Sequence, residues 1–309
     1  MVSPRPGAPS RAAGLSRVRA MLYPEAQRAV AAAADETPVW AEGYDVEDAR
    51  ARAREAAATE PREEVAEVRD VDADGVPCRL YRPAGAAPGV VLHVHGGGFV
   101  FNDIDVHDPG ARRLANRSGL SVLSVDYRRP PEHRFPAAPD DVSTASAWAE
   151  RELDGPLFAH GDSAGGNLAL VAALRHPDRF AALVLIYPFL DPTAAFESYR
   201  TAADGFDRRE AEWYWQQYAA TPADLADPSL APLLSERLGT LPPTLVVTAE
   251  HDPLRDEGEE LARRLAEAGV EVTATRYLGQ VHGFWRHPSV FTASEPLIRQ
   301  AAGFLRQHG

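Results

Sequence analysis

The sequence predicts an α/β protein, with a mostly parallel, doubly wound sheet and a helical cap. From Gly89 onward, apolar runs of strand length alternate with stretches of helical periodicity, and this order builds a parallel sheet from βα units. Several of the runs are apolar at every position, as expected of strands that helices bury on both faces. With 309 residues, the chain is long enough to bury a core of this kind.

The segment before the sheet is expected to be helical. It is rich in alanine and charged residues, and PEAQRAVAAAA and VEDARARAREAAA both show helical periodicity. Pro24 suits the first turn of a helix, where its missing N–H would have no partner. Two strands are predicted next, in EVAEVRDV and PCRLYRP, joined by the hairpin turn Asp72-Ala73-Asp74-Gly75.

Six strands and five helices are predicted after this hairpin. The strands are GVVLHV, SVLSVDY, PLFAH, AALVLIYP, TLVVTAE and VTATRYL. The helices lie near residues 108–118, 138–153, 164–176, 256–268 and 294–307. The interval 191–240 breaks the alternation with the aromatic helical stretch FDRREAEWYWQQYAA and proline-rich connections, which indicates an insertion over one end of the sheet.

The composition excludes several classes of function. The formal net charge of −13 disfavours nucleic acid as a partner, because its binding needs basic side chains that neutralise phosphates. All 32 basic side chains are arginine, which excludes a Schiff-base lysine and a P-loop lysine. No apolar run approaches the length of a membrane span. We expect a small-molecule partner and no cofactor.

Cysteine usage and the N-terminal residues bear on the cellular compartment. Cys78 is the single cysteine, so no internal disulfide can form, and its strand-like surroundings predict an inert core residue. Residues 1–20 are basic and free of acids, faintly like a transit peptide, but they lack the apolar centre of a secretory signal. We expect a flexible extension there, and a cytoplasmic protein.

The stretch Gly161-Asp162-Ser163-Ala164-Gly165 places a serine between glycines, where a predicted strand meets a predicted helix. A sharp strand-to-helix turn of this type exposes the serine hydroxyl, and glycines two positions away avoid clashes with neighbouring backbone. The alternative is a tight turn with an inert serine. The flanking elements favour Ser163 as a catalytic nucleophile.

The stretch His95-Gly96-Gly97-Gly98-Phe99 follows the strand GVVLHV. Successive glycines let backbone N–H groups approach a ligand oxygen. A phosphate cradle is disfavoured, because the Gly-x-Gly-x-x-Gly spacing and a lysine are both missing. With Ser163, the loop predicts an oxyanion hole formed by the N–H groups of Gly97, Gly98 and Ala164.

A serine nucleophile needs a base, and the base needs an orienting acid. His282 is favoured among ten histidines, because it follows the last predicted strand at the sheet edge that carries Ser163, although His160 and His251 remain alternatives. Asp252 directly follows the strand TLVVTAE, while Asp256 better suits the start of a helix. The chain order Ser163, Asp252, His282 is that of an α/β-hydrolase.

Two alternatives come from other classes of protein. A metal hydrolase could use His93, His95, Asp103, Asp105 and His107 as ligands, but their spacing does not oblige them to converge. A receptor could keep the fold and bind a small ligand without catalysis. The presence of both the base and the orienting acid favours the enzyme.

The sequence resembles the hormone-sensitive-lipase-like family of carboxylesterases, especially its bacterial members. The motifs HGGGF, DYRRPPEHRFPAAPDD, GDSAGGNLAL, LIYPFLD, LPPTLVVTAEHDPLRDEG and VHGF occur in the family's order. The resemblance implies Ser163 as nucleophile, Asp252 as orienting acid and His282 as base. One departure is Arg129-Pro130, where members commonly have Leu-Ala, and this puts the packing of that loop in doubt.

The resemblance also implies the domain organisation and the activity. Residues 1–60 would form an N-terminal extension and cap segment, 61–190 with 241–309 the hydrolase core, and 191–240 a cap insertion. We expect a serine carboxylesterase for short- to medium-chain esters, with deacetylase, amidase or lactonase activity on a small natural product as the alternative, and a homodimer as one assembly. Aromatic side chains expected to line the acyl pocket are Phe99, Trp213, Trp215 and Phe284.

Overall fold

The computed structural model describes residues 21–309, in which eight strands form one sheet. The predicted extension at residues 1–20 lies outside the described residues. The strands are β1 (Glu67–Ala73), β2 (Val76–Arg82), β3 (Ala87–Val94), β4 (Leu120–Val125), β5 (Leu157–Asp162), β6 (Ala182–Ile186), β7 (Thr244–His251) and β8 (Val272–Val281). Their spatial order is β1-β2-β4-β3-β5-β6-β7-β8. β2 runs antiparallel to β1 and β4, and every later pair is parallel.

Helices flank the sheet at the predicted places. They are α1 (Pro24–Ala33), α2 (Val46–Ala58), α3 (Asp108–Ser118), α4 (Ala137–Glu152), α5 (Ala164–Arg175), the single turn α6 (Ser198–Thr201), α7 (Arg208–Tyr218), α8 (Arg255–Glu267) and α9 (Ser294–Gln307). Among residues 21–309, none has the length and apolar character that crossing a bilayer would require. The predicted doubly wound α/β fold is confirmed.

Alternate residues of the central strands face two separate cores. Val90 and Leu92 of β3 point into a core shared with α4, α5 and α8, whereas Val91 packs with α3 and α9. The period of two along an extended strand separates the two faces. Because both faces are covered, the central strands are apolar at nearly every position, which is the pattern that predicted them.

The parallel strands all end at one edge of the sheet, and the candidate site lies there. β3 leads into the glycine loop, β5 into Ser163, β7 into Asp252 and β8 into His282. In an open parallel sheet, the loops at the carboxyl ends of the strands form the ligand-binding crevice.

Candidate active site

Ser163 lies at the turn between β5 and α5 in a conformation that residues with side chains rarely adopt. Its φ is 54° and its ψ is −122°. The Ser163 N–H donates to the carbonyl of Ile186 at 2.9 Å, and the N–H of Asn167 donates to the Ser163 carbonyl at 3.1 Å. These bonds to β6 and to α5 hold the strained turn.

The glycines of the serine motif are required by close backbone approach. A Cβ atom on Gly161 would overlap the carbonyl oxygen of Gly165. One on Gly165 would overlap the carbonyl oxygen of Val94, at the end of β3. Glycines are therefore needed on both sides of Ser163, because α5 contacts the backbone of β5, which precedes it, and of the neighbouring strand β3.

His282 contacts both Ser163 and Asp252 through its two ring nitrogens. Its Nε2 lies 3.0 Å from Ser163 Oγ, and its Nδ1 lies 2.8 Å from Asp252 Oδ2. Asp252 is fully buried, and its other oxygen, Oδ1, accepts a hydrogen bond from the N–H of Leu254 at 2.8 Å. Three residues that are far apart in the chain thus form one continuous chain of hydrogen bonds.

The surroundings of His282 favour its protonated form. Burial alone would lower the pKa of His282, but the charge of Asp252 and the hydrogen bond to it outweigh burial and hold that pKa above its ordinary value. The rings of Tyr187 and Phe206 pack against the imidazole, with centroids at 4.5 Å and 5.1 Å. They restrict the imidazole's orientation towards Ser163.

The glycine loop after β3 lines the same cavity as His282. Gly97 and Gly98 have positive φ values of 121° and 58°, and a Cβ on Gly98 would overlap the ring of Tyr214. Within residues 21–309, neither the Gly97 N–H nor the Gly98 N–H donates a hydrogen bond. Both residues line the same cavity as Ser163. These two donors therefore remain available to a ligand.

Asp162, to which the sequence assigned no role, anchors this loop. Its Oδ1 accepts a hydrogen bond from the Gly96 N–H at 3.0 Å, and a Cβ on Gly96 would lie only 2.5 Å from Oδ2. Burial raises the pKa of the Asp162 carboxyl. The residue beside the nucleophile thus ties the glycine loop to the serine turn. The signal in the sequence was the Asp162 position within the serine motif.

The departure at Arg129 is accommodated by the structure. One Arg129 nitrogen donates to the carbonyl of Asn102, and the guanidinium lies 3.8 Å from carboxylate oxygens of Asp103 and Asp126. The neighbouring Pro130 carbonyl accepts a hydrogen bond from Arg50 at 2.7 Å. These polar contacts hold Arg129 within the loop, which answers the doubt about its packing.

The predicted aromatic pocket residues lie outside the cavity beside Ser163. Phe99 is fully buried and stacks on Tyr218, with the ring centroids 3.8 Å apart. Trp215 packs on Phe99 with a centroid separation of 5.2 Å. Trp213 stacks on Phe101, and Phe284 packs beneath the site against Tyr187. None of these four side chains is on the wall of this cavity. Phe99, Trp215 and Phe284 are buried in the cores under and beside it, and Trp213 is partly exposed and packs on Phe101 and Tyr44.

Different side chains line this cavity with Ser163 and His282. Those not foreseen from the sequence are Asn102, Phe189, Phe206, Glu210, Tyr214 and Arg286. Tyr214 lies between Trp213 and Trp215 in the sequence of α7. The face of α7 that carries Tyr214 meets the cavity, and neither of the faces that carry the two tryptophans does. Since successive helical residues point about 100° apart, the three neighbours cannot share one face.

The alternative bases lie away from Ser163. His160 contacts His93 with a distance of 3.0 Å between their Nδ1 atoms, and burial lowers the pKa of both rings. His251 Nδ1 lies 2.8 Å from Asp204. Asp256, the alternative acid, accepts a hydrogen bond from the Ser198 N–H at 2.8 Å at the start of α8. Only His282 combines contact with a carboxylate and with Ser163 in the part of the chain that the structure describes.

The residues considered for a metal site do not form one. The rings of His93, His95 and His107 lie together, with His107 Nδ1 3.3 Å from His93 Nε2, but the two carboxylates are engaged by arginines. Asp103 pairs with Arg54 at 2.6 Å, and Asp105 pairs with Arg79 at 2.8 Å. His95 stacks on Tyr127 with a centroid separation of 4.2 Å. Across residues 21–309, no group of three or more histidine, cysteine or acidic side chains is arranged to hold a metal ion.

Comparison with known proteins agrees with this architecture. The family described as having the α/β-hydrolase fold matches residues 91–286, and the chain belongs to this family. The resemblance drawn from the motifs is thereby confirmed.

Individual relatives match most of the chain. It is 36% identical over 257 residues to the ethyl acetate hydrolase of Pseudomonas putida, covering 77% of this chain and 80% of that protein. It is also 36% identical to the arylesterase of Saccharolobus solfataricus, over 74% of this chain and 80% of that one. A solved hyperthermophilic esterase from Pyrobaculum calidifontis superimposes with a TM-score of 0.84 at 34% identity, over 93% of this chain and 98% of that one.

Proposed function

We propose that this protein hydrolyses carboxylic esters with short to medium acyl chains through an acyl-enzyme on Ser163. It is a carboxylic ester hydrolase, as relatives with the names ethyl acetate hydrolase and arylesterase support. One observation carries the choice of residues: the His282 imidazole bridges Ser163 Oγ at 3.0 Å and Asp252 Oδ2 at 2.8 Å.

The hydrogen-bond chain supports the usual roles of a serine triad. Asp252 accepts the Nδ1 proton of His282, which leaves Nε2 unprotonated and able to accept the Ser163 hydroxyl proton. Ser163 Oγ then attacks the ester carbonyl carbon, and His282 returns the proton to the departing alcohol oxygen. In the second step His282 takes a proton from water, whose oxygen attacks the carbonyl carbon of the acyl-enzyme. His282 returns the proton to Ser163 Oγ as it leaves, and the carboxylic acid is released.

The N–H groups of Gly97, Gly98 and Ala164 are proposed to stabilise the tetrahedral oxyanion. The two glycines line the cavity beside Ser163, and Ala164 is the first residue of α5, whose N-terminal N–H groups have no partners within the helix. The positive end of the helix dipole favours negative charge at this point. Each such donor contributes about 3 kcal/mol to transition-state stabilisation.

We also propose that residues 191–240 act as a cap over this site, with the described part of the 1–60 segment. Phe206, Glu210 and Tyr214 of the insertion line the cavity with Ser163. Arg50 of α2 donates hydrogen bonds to the Val100 carbonyl at 3.0 Å and to the Pro130 carbonyl at 2.7 Å. Both segments therefore contact the loops that form the site.

The proposal is tested with p-nitrophenyl esters of increasing acyl length and with Ser163→Ala as the control. We expect hydrolysis of short to medium chains and a loss of about a million-fold in kcat for the variant. A serine-directed organophosphate should transfer its phosphoryl group to Ser163 with loss of its leaving group, so that wild type gains the mass of that group and the variant stays unmodified. Near wild-type turnover by purified Ser163→Ala would show that another nucleophile acts.

The same experiments separate the alternatives. A metal hydrolase would lose activity with a chelator and resist the organophosphate. A receptor would bind a small ligand with saturation and would turn over no activated ester. Amide and lactone substrates of matched acyl group, compared by kcat/KM, test the amidase and lactonase alternative, and acetylated small molecules test the deacetylase.

Compartment and assembly belong to the same proposal. A cytoplasmic location is supported by the composition, in which Cys78 is the single cysteine. Fractionation of the producing cells tests it. The homodimer is tested by light scattering during size-exclusion chromatography, where a mass of 33.5 kDa would identify the monomer.

A further inference from the structure

Glu210 places a carboxylate inside the cavity that holds Ser163 and His282. It is the third residue of α7 and could have capped this helix by bonding back to the backbone of Asp207. Instead, its Oε1 accepts a hydrogen bond from the Tyr214 hydroxyl at 2.9 Å. The side chain thus faces the cavity rather than the helix end.

Within the described residues, the second carboxylate oxygen of Glu210 has no hydrogen-bond partner. Among residues 21–309, no arginine or histidine pairs with this carboxylate, whereas the neighbouring Glu212 pairs with Arg208 at 2.7 Å. Arg209 lies over the ring of Trp40, with its guanidinium carbon 3.5 Å from the centroid. The two arginines closest in sequence are therefore engaged elsewhere.

Arg286 also lines the described part of the cavity wall, but its guanidinium contacts residues other than Glu210. Arg286 contacts His287 Nε2 at 3.3 Å, and His287 Nδ1 lies 3.0 Å from Glu60 Oε1. No ion pair joins Arg286 to Glu210 in the described part of the chain. The carboxylate of Glu210 is left as an acceptor that a substrate can reach.

In the empty cavity, the surroundings of Glu210 disfavour the ionised form of its carboxyl group. Burial raises the pKa of Glu210 to about 7, against the opposing hydrogen bond from Tyr214, and the nearby charge of Asp207 raises it further. His282 across the cavity and Glu36 of the N-terminal segment also act on it, in opposite directions. A cationic donor in the cavity would stabilise the ionised form.

We propose that Glu210 makes this site selective for esters that carry a protonated amine, which donates a hydrogen bond to the free Glu210 oxygen. The aromatic rings of Tyr214 and Phe206 on the same wall suit an ammonium group, because their faces attract cations. This inference rests on the proposed ester hydrolysis and names a class of substrate for it. Glu210 acts by binding and orienting the substrate.

The test compares esters that differ only in the replacement of nitrogen by carbon. One pair varies the alcohol part, 3-(dimethylamino)propyl butyrate against 4-methylpentyl butyrate. The other pair varies the acyl part, ethyl 4-(dimethylamino)butyrate against ethyl 5-methylhexanoate. At pH 8 the amines are protonated and Glu210 is mostly ionised, so the ratio of kcat/KM within each pair measures the preference for the cation.

We expect wild type to prefer the amine of at least one pair by about tenfold or more, and Glu210→Gln to lose this preference. Glu212→Gln is the matched control, since it removes a carboxylate from the same helix outside the cavity. A structural effect of either variant would change both members of a pair together. A ratio that Glu210→Gln leaves within twofold of wild type, or no amine preference in either pair, overturns the inference.

Failure of this inference is distinguishable from failure of the proposed function. Wild-type hydrolysis of the neutral esters, abolished in Ser163→Ala, upholds the esterase whatever the amine preference is. Absence of turnover on every member of both pairs would remove the proposed function and the selectivity together.

Discussion

A Cβ atom on Gly165, in the first turn of α5, would overlap the carbonyl oxygen of Val94 at the end of β3. The helix that follows Ser163 therefore packs against the strand that leads into the glycine loop, with no side chain between them. The relative position of the nucleophile and the proposed oxyanion donors depends on this backbone contact.

Gly165→Ala should reduce both stability and activity. The new methyl group meets backbone atoms of Val94 and His95 that cannot move alone, and such overpacking costs about 1 to 3 kcal/mol. Urea unfolding and kcat/KM on a p-nitrophenyl ester measure the two effects. Gly303→Ala is the control: a Cβ there meets no atom within 4 Å, and alanine within α9 should stabilise the fold by about 0.5 to 1 kcal/mol. Equal stability of the two variants would refute the packing argument.

Asp252→Asn should impair catalysis and change its pH dependence. His282 must be unprotonated to act as base, and its pKa lies above the ordinary value of 6.5, so wild-type kcat/KM should fall as the pH drops below that raised pKa. Asparagine removes the charge that opposes the effect of burial, so the residual activity should fall off at a lower pH than in wild type. A loss of about 10⁴ in kcat is expected. An acid limb at the wild-type pH would contradict the electrostatic role of Asp252.

Arg50→Met should destabilise the attachment of α2 to the site loops. Arg50 is only 6% exposed, and its loss leaves the carbonyls of Val100 and Pro130 without their donor. Unfolding free energy should decrease by about 2 to 4 kcal/mol in a denaturant titration. Arg52→Met, on the same helix with a side chain 62% exposed, should change it by less than about 0.5 kcal/mol. Similar losses in both variants would mean that helix formation, rather than these contacts, is affected.

Cys78 should resist thiol reagents in the native protein. Its side chain is buried in β2, and burial raises the pKa of its thiol to about 12, so little thiolate exists near neutral pH. An aromatic disulfide reagent should therefore modify no thiol until denaturant is added, and one thiol per chain afterwards. Rapid modification under native conditions would place Cys78 at an accessible surface instead.

The elements, the serine turn and the glycine loop could be predicted because their signals are local. Gly161, Ser163 and Gly165 occupy a single turn, and the close backbone approach at this turn demands glycine whatever the rest of the chain does. Apolar strands alternate with helices wherever a parallel sheet is covered on both faces. Asp252 and His282 were then assigned to the site because each follows a strand that ends at the same sheet edge as β5.

The cavity wall could not be predicted in the same way. Trp213, Tyr214 and Trp215 are adjacent on α7, and their sequence shows that they point in different directions without showing which one meets Ser163. The choice depends on Trp215, which packs between Phe99 and Phe189, residues distant in the chain. That packing directs Tyr214 against Gly98 and brings Glu210 into the cavity.

The sequence by itself therefore determined the α/β fold, the serine turn, the glycine loop and the residues expected at the ends of the strands. The sequence favoured His282 as the base but left His160 and His251 open. Tertiary structure decided that His282 is the histidine that reaches Ser163, and that Glu210 and Tyr214 line the site. The physical reason is the separation along the chain between the residues that interact. Backbone sterics and hydrophobic periodicity act between residues a few positions apart, whereas the direction of a side chain depends on segments that meet only when the chain is packed.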